Sequence, residues 1–265
     1  MKIIALYKVW SGHELLQASV ESIYNHVDKI VILTSNVSWI GGKDNPSIPV
    51  IETLIGKKYP GNKIIHINYD EPNQVKHCMY AYRYIQNNFD CDYIMLIDSD
   101  ELWDTNSLKY AKQYIQQGPQ CKAYRTSIFT YIKSPFYRIE PPEPLKPVCF
   151  IKPDLPDMGL EPRGCAIKPY KIINEVYYHH FVFVREHFNN VLEKLIQSHV
   201  SEKQPYENMA DWIPNVWNKM PLCRRNFHPA IGFGTHWKSI KQVKLEDLPE
   251  VLHHNRFPNI LKWGK

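Results

Sequence analysis

The first hundred residues alternate between two hydrophobic periodicities, and this alternation constrains the fold more than any other feature of the sequence. Short apolar runs typical of buried strands lie at residues 3–9, 29–34, 63–68 and 93–97. Between them, residues 11–28, residues 50–58 and the segment after Asn73 place apolar side chains at helical spacing. Strands joined by helical crossovers predict an α/β fold with a parallel, doubly wound sheet, which binds its ligands at the carboxyl ends of the strands.

Beyond about residue 120 the pattern becomes β-rich and irregular. It predicts strands at residues 123–132, 148–152, 166–173 and 176–185, and a helix at residues 186–200. No linker-like change of composition separates the two halves, so we expect a single domain over residues 1–265. In this domain the second half completes the sheet and covers the site.

The sequence predicts neither a membrane span nor an export signal. Its longest apolar runs are far below the roughly 18 residues that a transmembrane helix needs, and no small-residue cleavage site follows its apolar start. The 6 cysteines are scattered without a paired spacing, which suits reduced thiols. We therefore expect a cytoplasmic protein. A net charge of +5 does not by itself establish nucleic-acid binding.

An acidic motif, Asp98-Ser99-Asp100-Glu101, comes directly after the apolar run at residues 93–97. Three carboxylates at the end of a buried strand repel one another and lose solvation unless a cation neutralises them. Carboxylate oxygens prefer hard ions such as Mg²⁺ or Mn²⁺. A second Asp-x-Asp sequence at residues 90–92 precedes the strand, where we expect a solvated turn. A capping or turn role remains the alternative for the acidic motif.

The apolar strand followed by the acidic motif resembles the signature of family-2-like glycosyltransferases with a GT-A fold. Residues 70–76, 180–185 and 245–252 are similar to further segments of that family. The resemblance covers most of the chain. It implies a Rossmann-like nucleotide-diphospho-sugar transferase fold, with a mostly parallel central sheet and a β-rich and helical C-terminal half. Residues 1–105 would bind the nucleotide sugar, and residues 106–265 would bind the acceptor.

The resemblance also implies roles for individual residues. The metal ligands would be Asp98, Asp100 and His180, and the ion would be Mn²⁺ or Mg²⁺. The donor-binding residues would be Tyr7, Lys8, Val9, Thr34, Lys76, Asp98, Ser99, Arg163 and Arg185. Because neighbouring residues of a strand face opposite sides, one of His179 and His180 faces inward, and a purely structural histidine remains an alternative to a ligand.

An inverting transferase also needs a general base for the acceptor hydroxyl. Asp157 and Glu161 lie in an irregular segment with proline and glycine that could reach over the site, and they are the candidate catalytic residues. A solvated acidic loop is the simpler interpretation of this segment.

These observations favour a metal-dependent glycosyltransferase that uses a nucleotide-diphosphate sugar, with a UDP-sugar as the first choice. Its acceptor hydroxyl could belong to a glycan, a small molecule or a modified base of a nucleic acid. One alternative is a sugar-phosphate nucleotidyltransferase, although residues 8–12 make a poor phosphate-binding loop. The other is a non-catalytic protein that binds glycan or nucleic acid through its late basic and aromatic residues.

Overall fold

The computed structural model of the protein describes residues 1–10, 12–37, 45–118, 120–144, 146–155, 167–195, 208–223, 226–229, 237–253 and 257–264. The chain divides into two compact units. The first unit comprises Met1–Ser127 and Lys146–Tyr178, and the second comprises Ile128–Leu145 and His179–Lys265. The expectation of one domain over residues 1–265 stays a prediction.

Four parallel strands form the centre of the first unit, in the order β4, β1, β2, β3. Their bounds are Ile3–Lys8 for β1, Lys29–Thr34 for β2, Ile64–Asn68 for β3 and Tyr93–Ile97 for β4. The antiparallel strand β8 (Val148–Ile151) pairs with β4, and β6 (Ala123–Ile132) pairs with β8. The predicted α/β fold with a mostly parallel central sheet is confirmed, and this topology is consistent with a GT-A fold.

Helices connect the parallel strands, as the helical spacing of apolar residues in the sequence predicts. The connecting helices are α1 (His13–Ile23), α2 (Ile48–Thr53) and α3 (Gln74–Asn88). A further helix, α4 (Thr105–Gln117), comes after the last parallel strand. α3 begins at a side-chain cap, in which Asn73 Oδ1 accepts a hydrogen bond from Lys76 N at 3.1 Å. α4 and the short strand β5 (Glu101–Trp103) are additional to the predicted elements.

The core of the first unit lies between the sheet and α3. Alternate residues of β4, such as Ile94 and Leu96, pack with Tyr82 and Ile85 of α3. The Tyr82 hydroxyl donates a hydrogen bond to Lys152 O at 2.9 Å. Burial raises the pKa of Tyr82 to about 12, so its hydroxyl stays protonated and holds this contact at neutral pH.

The second unit has its own strand pair and core. β7 (Tyr137–Glu140) and β10 (Ser239–Gln242) are antiparallel, and the helices are α5 (Phe188–Leu195) and α6 (Met209–Trp212). Apolar side chains of this unit form one cluster, which includes Ile132, Ile139, Phe183, Trp212, Trp217 and Trp237. Within the part of the chain that the structure describes, no helix has the length and apolar character needed to span a membrane.

The prediction of two strands at residues 166–173 and 176–185 is wrong. One strand, β9 (Tyr170–Phe183), runs through this segment and pairs with β5 and β6. The polar pair Asn174 and Glu175 resembles a turn in the sequence, but both residues are exposed within the extended strand. Pairing to neighbouring strands outweighs this local preference.

Replacing Ile94 by alanine removes a fully buried side chain from the middle of the sheet. We expect the free energy of unfolding to fall by about 2–5 kcal/mol, because the surrounding side chains cannot fully collapse into the cavity. Urea denaturation followed by circular dichroism measures the change. Leu222→Ala is the control, because that side chain is 79% exposed and its loss should cost less than about 0.5 kcal/mol. Equal losses in the two variants would contradict this description of the core.

Candidate functional site

Predicted donor-binding residues and the acidic motif meet at one edge of the first unit's sheet. β1 lies between β2 and β4, and all three strands are parallel. Tyr7 is in register with Ile97 of β4 on one side and with Ile32 of β2 on the other. The carboxyl ends of the three strands therefore lie side by side. The predicted residues at this edge are Tyr7, Lys8, Val9, Thr34, Asp98, Ser99 and Asp100.

The acidic motif is a hydrogen-bonded turn between β4 and β5. Asp98 N donates to Glu101 Oε2 at 3.0 Å, and Glu101 N donates to Asp98 O at 3.1 Å. Ser99, Asp100 and Glu101 are buried, with Asp100 at 0% exposure, whereas Asp98 is partly buried. Glu101 therefore helps to hold the turn, and Asp98 is the carboxylate of the motif that solvent reaches most readily.

Tyr7 supports this turn from inside the unit. Its ring is fully buried, and its hydroxyl lies 3.0 Å from Ser19 Oγ. Ser19 Oγ in turn donates to Glu101 O at 2.5 Å, so the Tyr7 hydroxyl is the donor to Ser19. Burial raises the pKa of Tyr7, which keeps this hydroxyl protonated. The chain of hydrogen bonds ties β1 and α1 to the acidic motif.

Gly12 makes room for the acidic motif at the start of α1. A Cβ atom placed on Gly12 would lie 1.6 Å from Ser99 Oγ and 2.5 Å from Ser99 Cβ. Only a residue without a side chain fits here, because no atom tolerates such a separation. This close approach fixes the distance between the α1 N-terminus and the acidic motif.

We expect Gly12→Ala to lower the free energy of unfolding by roughly 1–3 kcal/mol, because the added methyl group must displace Ser99. Gly56→Ala is the matched control in the same unit, since nothing lies within 4 Å of the added Cβ and the residue is helical. That control should be neutral or stabilising by up to about 1 kcal/mol. Urea denaturation of both variants makes the measurement, and a neutral Gly12→Ala would contradict the close packing.

A polar cluster occupies the neighbouring part of the same edge. Thr34 Oγ1 donates to Asn68 Oδ1 at 3.0 Å and lies 2.7 Å from His66 Nε2. Thr34 O accepts from His77 Nε2 at 3.2 Å. The hydrogen bonds hold the side chains of β2, β3 and α3 together where β2 and β3 end.

Burial lowers the pKa of both histidines of this cluster. His77 is almost completely buried, and its Nε2–H bond is donated to Thr34 O. Its other nitrogen, Nδ1, is also buried and has no hydrogen-bond partner among the described residues. Protonation of Nδ1 would therefore bury a charge that has no hydrogen-bond acceptor among those residues.

This arrangement predicts a loss of stability at acid pH. A histidine whose pKa is lowered by folding takes up protons more readily in the unfolded state, so stability falls as the pH drops below about 6.5. We expect His77→Gln to show a smaller loss of melting temperature than the wild type between about pH 7.5 and about pH 5.5. Thermal unfolding at both pH values tests this, and an unchanged pH dependence would show that His77 does not contribute.

Two further side chains tie together the loops that follow the strands. Asn45 Nδ2 donates to Val9 O at 3.0 Å and to Ser35 O at 3.2 Å, which joins the ends of β1 and β2. Asp70, after β3, accepts from Asn36 N at 2.7 Å. This backbone hydrogen bond is the main cause of the lowered pKa of Asp70. The exposed Asp70 carboxylate is therefore ionised at neutral pH.

The remaining predicted residues are spread over both units. Lys8 is partly buried at the end of β1, and Lys76 is exposed in the first turn of α3. In the second unit, Arg185 is buried and donates to Phe181 O at 2.9 Å. His180 is partly buried, whereas His179 is buried. Asp157, Glu161 and Arg163 lie outside the described residues.

His179 is the inward-facing member of the histidine pair. Its Nδ1 atom lies 2.9 Å from the Tyr131 hydroxyl, and its ring stacks on that of Tyr131 with centroids 5.6 Å apart. The alternation of side chains along the strand did not decide which of the two histidines is buried, and the structure shows that it is His179. His180 remains the candidate ligand.

Several residues of the site are not predicted from the sequence. They are Gly12, Ser19, Asn45, His66 and His77. Ser19 and His77 carry the one available signal, which is a polar side chain on a helix face that is otherwise buried. Gly12 and Asn45 act through contacts between segments, for which local sequence gives no sign.

The acidic motif fits one kind of metal site. Among the described residues, no group of three or more His, Cys, Asp or Glu side chains could form a complete metal cage. Mg²⁺ and Mn²⁺ do not require one, because such ions are commonly held by one or two carboxylates and by substrate phosphates. Asp98 is exposed enough to contact a cation that arrives with its phosphorylated ligand, whereas the adjacent Asp100 is fully buried.

Comparisons with known proteins give remote structural likenesses. No protein-family model matches the chain, and no curated protein matches it in sequence. Residues 1–349 of S. aureus TarS, in complex with UDP-GlcNAc, are 11% identical, with a TM-score of 0.47 over 84% of this chain and 74% of that one. A longer TarS structure gives 11% identity and a TM-score of 0.45, over 81% of this chain and 42% of that one.

A Desulfovibrio desulfuricans G20 protein, provisionally described as a nucleotide-diphospho-sugar transferase, gives 9% identity and a TM-score of 0.43. The similarity covers 75% of this chain and 89% of that one. The structural neighbours thus include a protein in complex with a nucleotide sugar and a protein described as a nucleotide-sugar transferase. Similarity at this level does not carry an activity over to this chain.

Proposed function

We propose that the chain is a glycosyltransferase that moves a sugar from a nucleotide-diphosphate sugar, with UDP as the first choice of nucleotide, to an acceptor hydroxyl. The observation that supports this most directly is the acidic motif at the carboxyl end of β4, beside the ends of β1 and β2. Parallel α/β sheets bind ligands at this edge. The motif is supported by Tyr7, Ser19 and Gly12, as expected for a site that must hold its geometry.

Each part of the edge has a role in the proposal. Asp98 and Asp100 would hold Mn²⁺ or Mg²⁺, and the ion would supply Lewis-acid stabilisation of the negative charge that develops on the nucleotide diphosphate. Ser99 lies between them, and Lys8 and Lys76 add positive charge for the phosphates. Val9 and Thr34 would contact the nucleoside. Asn45 supports this part of the site, because it donates hydrogen bonds to Val9 O and to Ser35 O, the residue after Thr34.

The second half of the chain supplies the other proposed residues. His180 is a third metal ligand or a diphosphate contact, and Arg163 and Arg185 contribute positive charge. Asp157 or Glu161 accepts the proton of the acceptor hydroxyl. The acceptor is a glycan or a small molecule, and a modified nucleic-acid base is a further candidate.

UDP together with Mn²⁺ should raise the melting temperature of the protein. At a ligand concentration about 100 times Kd, binding adds roughly 2.7 kcal/mol to stability, which corresponds to several degrees. Asp98→Asn and Asp100→Asn should each abolish most of this shift, because each removes a negative charge from the proposed metal site while conserving the shape of the side chain. Differential scanning fluorimetry makes the measurement.

The control is Asp90→Asn, which changes an aspartate of the other Asp-x-Asp sequence. That carboxylate is 92% exposed, pairs with Lys2 at 3.0 Å and should leave the shift intact. A shift that survives in both acidic-motif variants would refute the metal site.

A separate experiment identifies the donor. The protein is incubated with a panel of nucleotide sugars and Mn²⁺, and the released nucleotide diphosphate is assayed. Release from none of them would contradict a transferase.

A further inference from the structure

The second unit contains an open cavity of about 500 Å³ at the end of the β7–β10 pair. Its size lies within the range of about 300–1,000 Å³ that is typical of small-molecule sites. Residues that line it include Ser134, Phe136, Tyr137, Gln242, Lys244 and Gly264. We refer to it as the β7–β10 cavity.

The cavity begins where the residues on the core-facing side of the strand pair change from apolar to polar and aromatic. Ile139 is opposite Ile240 in the register, and both belong to the packed core of this unit. Two residues further along the same face, Tyr137 is opposite Gln242. An apolar pair would have continued the core. The aromatic and amide side chains instead form a wall with hydrogen-bonding groups.

The backbone around the cavity is tightly constrained. Lys133 has a φ of 66°, which is uncommon for a residue with a side chain. A Cβ atom on Gly264 would lie 2.1 Å from Lys133 O, so the end of the described chain packs directly against this turn. Val243 N also donates to Phe136 O at 3.0 Å. Strained turns held by their surroundings occur preferentially at ligand sites.

The lining chemistry favours a sugar. Phe136 and Tyr137 offer aromatic surface for the apolar face of a pyranose ring, and the exposed amide of Gln242 offers a donor and an acceptor for its hydroxyls. Lys244 Nζ lies 3.6 Å from Glu246 Oε1, so the nearest cation of the wall has a counter-charge. Because this positive charge is paired with a negative one, the cavity wall suits a neutral ligand better than a phosphate or a nucleic acid.

We propose that the β7–β10 cavity binds a neutral saccharide, and that this saccharide is part of the acceptor. The acceptor role rests on the proposed function, because the saccharide is an acceptor only if the chain transfers a sugar. Saccharide binding itself rests on the second unit alone. It adds to the chain a carbohydrate site that is distinct from the acidic motif.

Saturation-transfer NMR with the methyl glycosides of glucose, galactose, mannose and N-acetylglucosamine tests the proposal. We expect at least one of them to bind the wild type, and its affinity to fall about tenfold or more in Tyr137→Ala. Gln242→Ala, at an exposed edge position, should also weaken binding and carries little risk of unfolding. Tyr110→Ala removes a 44%-exposed tyrosine from the first unit and should have no effect.

The proposal is overturned if none of the four glycosides binds, or if they bind Tyr137→Ala and Gln242→Ala as well as they bind the wild type. It is also overturned if UDP, but no glycoside, binds and is lost in these variants. Failure of the proposed function looks different. In that case the glycosides still bind, while the combination of UDP and Mn²⁺ produces no shift that depends on Asp98 and Asp100.

Discussion

The candidate site depends on how the first unit accommodates the three carboxylates of the acidic motif. Carboxylates so close together repel one another, and burying them adds a desolvation cost. The fold offsets part of this cost by using Glu101 Oε2 as the acceptor for Asp98 N. It also anchors Glu101 O to Ser19, and Ser19 to Tyr7. The carboxylate of Glu101 therefore has a structural role, and that of Asp98 remains partly accessible at the carboxyl end of β4.

This arrangement changes the meaning of Tyr7. The family resemblance implies that Tyr7 contacts the nucleoside, yet its ring is fully buried in the first unit. The donor role of Tyr7 stays a prediction, while its contact with Ser19 is a positioning role. Strand ends carry both kinds of residue, because alternate side chains point to opposite faces of the sheet.

The sequence predicts the strands β1, β2 and β4 well because each is a nearly continuous apolar run that is buried along most of its length. β2 and β4 have the predicted bounds. The acidic motif is predictable for the same reason, since it directly follows such a strand. The supporting contacts are not predictable, because Ser19 and Glu101 are 82 residues apart and Gly12 meets Ser99 only in the folded unit. The single strand β9 shows the same limit, because pairing with other strands keeps Asn174 and Glu175 extended.

The same contrast separates the two proposed binding sites. A βα unit places the end of a strand, the following loop and the next helix side by side in the sequence, so chemistry at that edge leaves a local signature. The β7–β10 cavity is built differently, because its walls come from strands joined by contacts such as Ser239 Oγ to Glu140 O, 99 residues apart. Its lining residues form no motif, and each has an ordinary role when it is considered alone. Recognition of a neutral sugar needs only this kind of dispersed wall, whereas the proposed cation site places its two aspartates in one short motif, Asp98-Ser99-Asp100.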